Sequence, residues 1–157
     1  KKSRNHTELL SKYLKLPIKV KEGKKIDRIE INRPKKIKNF NYNIPSDISS
    51  SAFFVVLTAL SNNSELIIKN VNINKSRVGI ITILKKMGVK IVFKNKKKYK
   101  GELISDIKVI SCKSLKPINC PSILNSSAID EFLLIFLVAA KAKGVSIFGE
   151  FEGRSPS

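Results

Sequence analysis

Few side chains in this sequence could move a proton or hold an anion once its many lysines are set aside. A carboxylate can take a proton from a hydroxyl, and Asp130-Glu131 are adjacent carboxylates just before an apolar run. A guanidinium binds phosphate or carboxylate at two points and stays charged at any working pH. Arg4 and Arg77 each close a Lys-Ser-Arg triplet, Lys2-Ser3-Arg4 and Lys75-Ser76-Arg77. Read locally, all four have plainer roles. Asp130 and Glu131 suit a helix start, where the dipole favours negative charge. Arg4 reads as a solvated residue at a helix start, and Arg77 as part of a motif that positions its helix. His6, the single histidine, reads as a first-turn structural residue, and Asp47 as a cap. Cys112 and Cys120 are eight apart with no second pair, which is neither a metal-site spacing nor a disulfide framework. They read as reduced thiols, and no metal site is expected.

The elements that must position these residues follow from the apolar pattern. With 42% hydrophobic residues the chain can build a core. The longest apolar run, Phe132 to Ala140, suits a buried helix and is too short to span a bilayer, so no membrane segment is expected. Asn5 to Leu14 has a one-sided apolar stripe, with capping-box spacing between Asn5 and Glu8. Ile18 to Val20 predicts a strand, and Ile26 to Asn32 a half-buried one around Ile29 and Ile31. Pro34 to Pro45 reads as a polar connector. A helix is predicted from about Ser49 to Leu60, opened by Ser and Asp side chains that accept free amides of its first turn. Leu66 to Ile68 predicts a strand. Arg77 to Met87 predicts an amphipathic helix, with Ile80, Ile81, Ile83, Leu84 and Met87 inward and Gly88 as a stop. Strands at Val89 to Phe93 and Ile104 to Ile110 are expected to be joined by the lysine-rich tract Lys94 to Lys100, read as a turn. Ser126 to Lys143 predicts a helix ended by Gly144, and Val145 to Phe148 a last strand.

Two stretches repeat this order. The triplets open matching helices, and Ala52 to Ile68 parallels Phe132 to Phe148, so a unit of helix, two strands, helix and strand occurs about twice. The triplet helices are striped and should lie on one side of a core. Ala52 to Leu60 and Phe132 to Ala140 are apolar all round and should be enclosed on every side.

The net charge of +19 allows nucleic acid, an acidic membrane surface or small anions as partners. The lysines fall mainly in expected loops, which favours solvated faces, and aromatic residues are only 7%, with Tyr99 alone inside the lysine tract, so no stacking platform is apparent. No specific nucleic-acid partner is expected.

Four segments carry a resemblance. Ser3-Arg4-Asn5-His6-Thr7-Glu8 is close to S-R-D-H-T-E. Pro45-Ser46-Asp47-Ile48-Ser49-Ser50-Ser51-Ala52-Phe53-Phe54 resembles P-G-D-I-S-S-A-A-F-F. Asn74-Lys75-Ser76-Arg77-Val78-Gly79 resembles N-x-T-R-x-G, and Ile129-Asp130-Glu131 matches an I-D-E segment ahead of an alanine-rich helix. In order and spacing they resemble the 5-enolpyruvylshikimate-3-phosphate (EPSP) synthase family.

The resemblance implies an α+β (α/β repeat) fold, the enolpyruvate transferase-like fold of repeated βαβαββ units with buried helices and outer sheets, here incomplete. Residues 1–43 would be the end of one domain with its crossover, and 44–157 part of the second. The implied reaction transfers the enolpyruvyl group of phosphoenolpyruvate to the 5-hydroxyl of shikimate 3-phosphate and releases phosphate, with no cofactor, in a cytoplasmic enzyme that is a monomer when complete. Asp130 aligns with the catalytic base and Arg4 with a substrate-binding arginine. The chain opens on Lys1-Lys2 and not Met, so its natural start is expected upstream. The tail Gly149 to Ser157 does not match the family's K-E-S/T-D-R segment, so Arg154 does not inherit that segment's role. The N-terminal Lys-Ser and Arg motif and the N-A-G-T and D-H-R segments are absent as well. The 157 residues alone are therefore expected to give no turnover. Three alternatives stay open: a UDP-N-acetylglucosamine enolpyruvyl transferase, although Cys112 and Cys120 lie in no reactive-loop context; a basic nucleic-acid-binding module; and a remnant without function of its own.

Overall fold

A computed structural model describes residues 4–23, 26–37 and 39–149. The N-terminal Lys2 and Ser3, and the tail with Arg154, lie outside the described residues. The element order repeats as the sequence predicts. The first unit is α1 (His6–Tyr13), β1 (Ile18–Lys21), β2 (Arg28–Ile31), α2 (Ile48–Leu60) and β3 (Glu65–Asn72). The second is α3 (Gly79–Lys86), β4 (Lys90–Tyr99), β5 (Glu102–Ile110), β6 (Asn119–Cys120), α4 (Phe132–Lys141) and β7 (Ile147–Phe148). Strand β6 has no counterpart among the described residues of the first unit or in the sequence reading, and it pairs in parallel with β7.

A three-stranded antiparallel sheet of order β3-β5-β4 forms one layer. Helix α2 packs on β3 and β5, α3 packs on β4, and α4 packs on α2 and α3. The core lies between: Ala52, Val55 and Ala59 of α2, Ile80, Ile83 and Leu84 of α3, Ile135 and Val138 of α4, and Ile107 and Val109 of β5 are all fully buried. The stripe read on α3 is the buried one, including Ile81 and Met87. Asp47 caps α2 by accepting from the Ser50 N–H at 2.8 Å, as its place before an apolar helix suggests.

Asp106, in mid-β5, organises the sheet. It faces two bulges, where Asn70 and Asn95 take left-handed φ of 51° and 52° and the β3 and β4 registers shift. The Asn70 N–H donates to Oδ1 at 3.0 Å, while Asn95 Nδ2 and Lys69 Nζ donate to Oδ2 at 2.8 and 3.0 Å. One carboxylate thus holds the irregular points of both outer strands.

The structure corrects several expectations. The lysine tract is not a turn: β4 runs to Tyr99, and the turn is only Lys100-Gly101, both at positive φ of 46° and 93°, as tight hairpins require. Gly101 is needed there for a second reason, since a Cβ would lie 2.6 Å from the Leu9 carbonyl oxygen of α1. The helix predicted from Ser126 begins only at Phe132; short 3₁₀ turns at Ser122–Ser127 and Ile129–Glu131 precede it. That segment is pressed against the start of α3, where a Cβ on Gly79 would meet the Ser127 carbonyl carbon at 2.7 Å. The capping box at Asn5 and Glu8 does not form, because the Asn5 side chain is committed to Asn74. Ile29 and Ile31 are exposed, not half-buried. Nor are α2 and α4 enclosed: Phe53, Leu57 and Leu133 are 63%, 64% and 83% exposed, since no described element packs over that face.

Candidate active site

The start of α1 is docked onto the second unit by polar contacts. Asn74 Nδ2 donates to Asn5 Oδ1 at 2.7 Å and to Glu102 Oε2 at 3.3 Å. His6 Nδ1 lies 2.5 Å from Glu102 Oε1. The same Asn74 shapes the turn ahead of α3: its Oδ1 accepts from the Ser76 N–H and hydroxyl, and its carbonyl accepts from the Arg77 N–H. One asparagine therefore places both arginine-bearing triplet helices.

Their arginines converge on one atom. Arg4 Nη2 and Arg77 Nη1 each donate to Asp130 Oδ2 at 2.6 Å, across 126 and 53 residues of chain. The other arm of the Arg77 fork, Nη2, donates to Ser49 Oγ at 2.5 Å and lies 3.9 Å from Glu131 Oε1. The Ser49 hydroxyl in turn donates to Glu131. The side chains grade from buried to open: Glu131 is 2% exposed, Arg77 11%, Asp130 39% and Arg4 57%.

This arrangement drives adjacent carboxylates in opposite directions. The hydrogen bond from Arg77, helped by the charges of both guanidiniums, holds Asp130 below the usual carboxylate range despite its partial burial. Burial pushes Glu131 up, against the Ser49 hydroxyl and the Arg77 charge. Neighbouring titratable groups set apart in this way are a feature of sites that do acid-base work. Asp130 is ionised and reachable, so it can accept a proton, and Arg4 is open to an incoming anion.

Beside this cluster a cavity of about 450 Å³ lies between α1 and the start of α2, lined among others by His6, Leu10, Tyr42, Asp47, Arg77 and Glu102. Arg77 connects the cavity to the cluster; Arg4 and Asp130 are not in its lining. The cysteines take no part. Cys112 Sγ donates to the Ser114 carbonyl at 3.0 Å, and the Cys120 thiol is pushed up by burial. Among the described residues no group of three or more His, Cys, Asp and Glu side chains could hold a metal ion, and no helix is long and apolar enough to cross a membrane.

The structure brings together Asp130 and Arg4, the residues singled out for base and substrate binding. It adds what local reading missed: Arg77 does more than position its helix, and Glu131 is a buried partner of Ser49 as well as a helix-start residue. The only advance signal was that Arg77, Ser49 and Glu131 all sit inside the motifs that carry the resemblance.

A doubled order of helices and strands with a guanidinium-held carboxylate beside a cavity is an α+β arrangement suited to anionic ligands. The family model for EPSP synthase (3-phosphoshikimate 1-carboxyvinyltransferase) matches residues 1–153, and the chain belongs to this family. It is 37% identical over 154 residues to the 3-phosphoshikimate 1-carboxyvinyltransferase of Hydrogenovibrio crunogenus, an alignment that takes in 96% of this chain and 34% of that protein. It is 39% identical over 142 residues to that of Legionella pneumophila strain Paris, covering 90% of this chain and 32% of the relative. Among solved structures, EPSP synthase from Acinetobacter baumannii superposes with a TM-score of 0.84 at 35% identity, over 94% of this chain and 32% of that one. The chain therefore spans about a third of the length of the relatives it matches.

Proposed function

We propose that this chain carries part of the active site of an enzyme that transfers the enolpyruvyl group of phosphoenolpyruvate to the 5-hydroxyl of shikimate 3-phosphate. The observation that carries the reading is the ionised Asp130 carboxylate held by Arg4 and Arg77, on the I-D-E segment of a chain in this family. In the first step Asp130 takes the proton of the 5-hydroxyl as its oxygen bonds to C2 of phosphoenolpyruvate and C3 gains a proton. In the second, C3 loses a proton, the C2–O bond to phosphate breaks, and the enol ether and inorganic phosphate result. Arg4 binds one of the anionic groups of shikimate 3-phosphate. The reading also takes residues 1–43 as the end of one domain with the crossover and 44–157 as part of the other, and the complete enzyme as a cytoplasmic monomer that needs no cofactor.

The test is phosphate release from phosphoenolpyruvate and shikimate 3-phosphate by the full gene product, wild type against Asp130→Asn. Loss of a positioned base lowers the rate roughly 10²–10⁴-fold. The 157 residues by themselves should release none. Full activity in a folded Asp130→Asn variant would return Asp130 to a helix-start role.

A further inference from the structure

Both arginines bind the same oxygen of Asp130. Arg4 and Arg77 each reach Oδ2 at 2.6 Å, and among the described residues no side chain or backbone group hydrogen-bonds Oδ1. A carboxylate tethered through one oxygen presents the other to whatever enters beside it. The tethers differ in kind. Arg4 is mostly exposed and is the first residue of the described chain. Arg77 is nearly buried and is held along its length. Its backbone N–H is bonded to the Asn74 carbonyl at 2.9 Å, one arm of its fork ends on Asp130, and the other on Ser49, which is fixed by the buried Glu131. Glu131 is the residue next to Asp130, so the contacts close a ring: Asp130, Arg77, Ser49, Glu131 and the peptide back to Asp130. A planar guanidinium spanning such a ring fixes the rotation of the carboxylate. A lysine would keep the charge and lose the second point.

We propose that Arg77 is a positioning residue for Asp130: with Ser49 and Glu131 behind it, it holds Oδ2 so that Oδ1 is the oxygen that accepts the hydroxyl proton. The proposal rests on the reading of Asp130 as the base. It assigns Arg77, Ser49 and Glu131 no contact with substrate; their effect passes through the geometry and ionisation of Asp130.

The experiment uses the full gene product carrying Arg77→Lys, with two measurements. Steady-state kinetics separate kcat from KM. Carbon-13 NMR of selectively labelled aspartate carboxyls follows the Asp130 titration, its resonance assigned by its absence from Asp130→Asn. A misplaced catalytic group by as little as about 1 Å costs on the order of 10²-fold, so kcat should fall roughly 10- to 100-fold while KM changes less than about threefold. The Asp130 midpoint should move up toward the ordinary carboxylate range. A folded Arg77→Lys variant with unchanged kcat and an unmoved midpoint overturns the proposal. Should that variant fail to fold, Ser49→Ala decides by the same readouts: a smaller change in the same direction supports the ring, and no change overturns it. An Asp130→Asn variant with full activity would sink the reading of Asp130 as base, and the titration would still report separately whether Arg77 holds the carboxylate.

Discussion

At the scale of single residues, the pair of Arg4 and Asp130 separates binding from stability. Both side chains are more than a third exposed, and exposed ion pairs contribute little because water and salt screen them. Replacing Arg4 by Met should leave the melting temperature almost unchanged. On the proposed reading Arg4 makes a charge-assisted hydrogen bond to shikimate 3-phosphate, worth about 1.5–3 kcal/mol, so in the full gene product the same change should raise KM for that substrate by roughly tenfold or more. Parallel thermal melts and steady-state kinetics would check this. An unchanged KM with a slower kcat would instead limit Arg4 to its tether on Asp130.

At the scale of elements, the three-stranded sheet depends on Asp106. The Asn70 N–H, then Asn95 and Lys69, bring its carboxyl down from 3.8 to about 2. A carboxylate whose folded value is depressed adds stability that is fully present above its unfolded value and is lost as pH falls through the folded one. The sheet should therefore weaken between about pH 4 and pH 2. Melting temperature measured across that window should fall in the wild type and fall less steeply in Asp106→Asn, which should also be less stable at pH 7. Parallel curves would mean that other carboxylates dominate acid unfolding. The lysines along β4 act on the same element. They line an edge strand of the sheet, where charge discourages a further strand from adding. Lys85 and Lys96 also lie over the Phe93 ring, at 4.9 and 5.6 Å from its centre.

At the scale of the whole molecule, α2 and α4 have unlike faces that composition alone does not distinguish. Val55 and Ile135 are fully buried, while Leu57 and Leu133 are largely exposed. Ile135→Ala should cost roughly 2–5 kcal/mol, through lost burial and the cavity left behind. Leu57→Gln should change stability by no more than about 0.5 kcal/mol, as for ordinary surface positions, and should lower the binding of an apolar fluorescent dye by the isolated 157-residue chain. Denaturant unfolding of both variants checks the first pair of outcomes and dye fluorescence the last. Similar costs at both positions would show that the outer face of α2 is covered in solution.

Much of the local structure was legible in the sequence, because short-range sterics and periodicity encode it. The 3.6-residue stripe picked out Ile80, Ile81, Ile83, Leu84 and Met87 as the buried face of α3, and Asp47 before an apolar run marked the start of α2. Self-similarity forecast the doubled order of elements, and the motifs around Arg4, Asp47, Arg77 and Asp130 pointed to the family. Contacts between distant segments were not legible, since no local pattern states them. Only the folded chain carries Arg4 and Arg77 onto one oxygen of Asp130, sets Glu131 under Ser49, and turns Asp106 toward both bulges. The tertiary structure also decided which helix faces are buried. An all-round apolar helix is compatible with enclosure, but its exposure depends on which elements stand beside it, and the lysine tract became strand because pairing with β5 satisfies its backbone whatever its side chains.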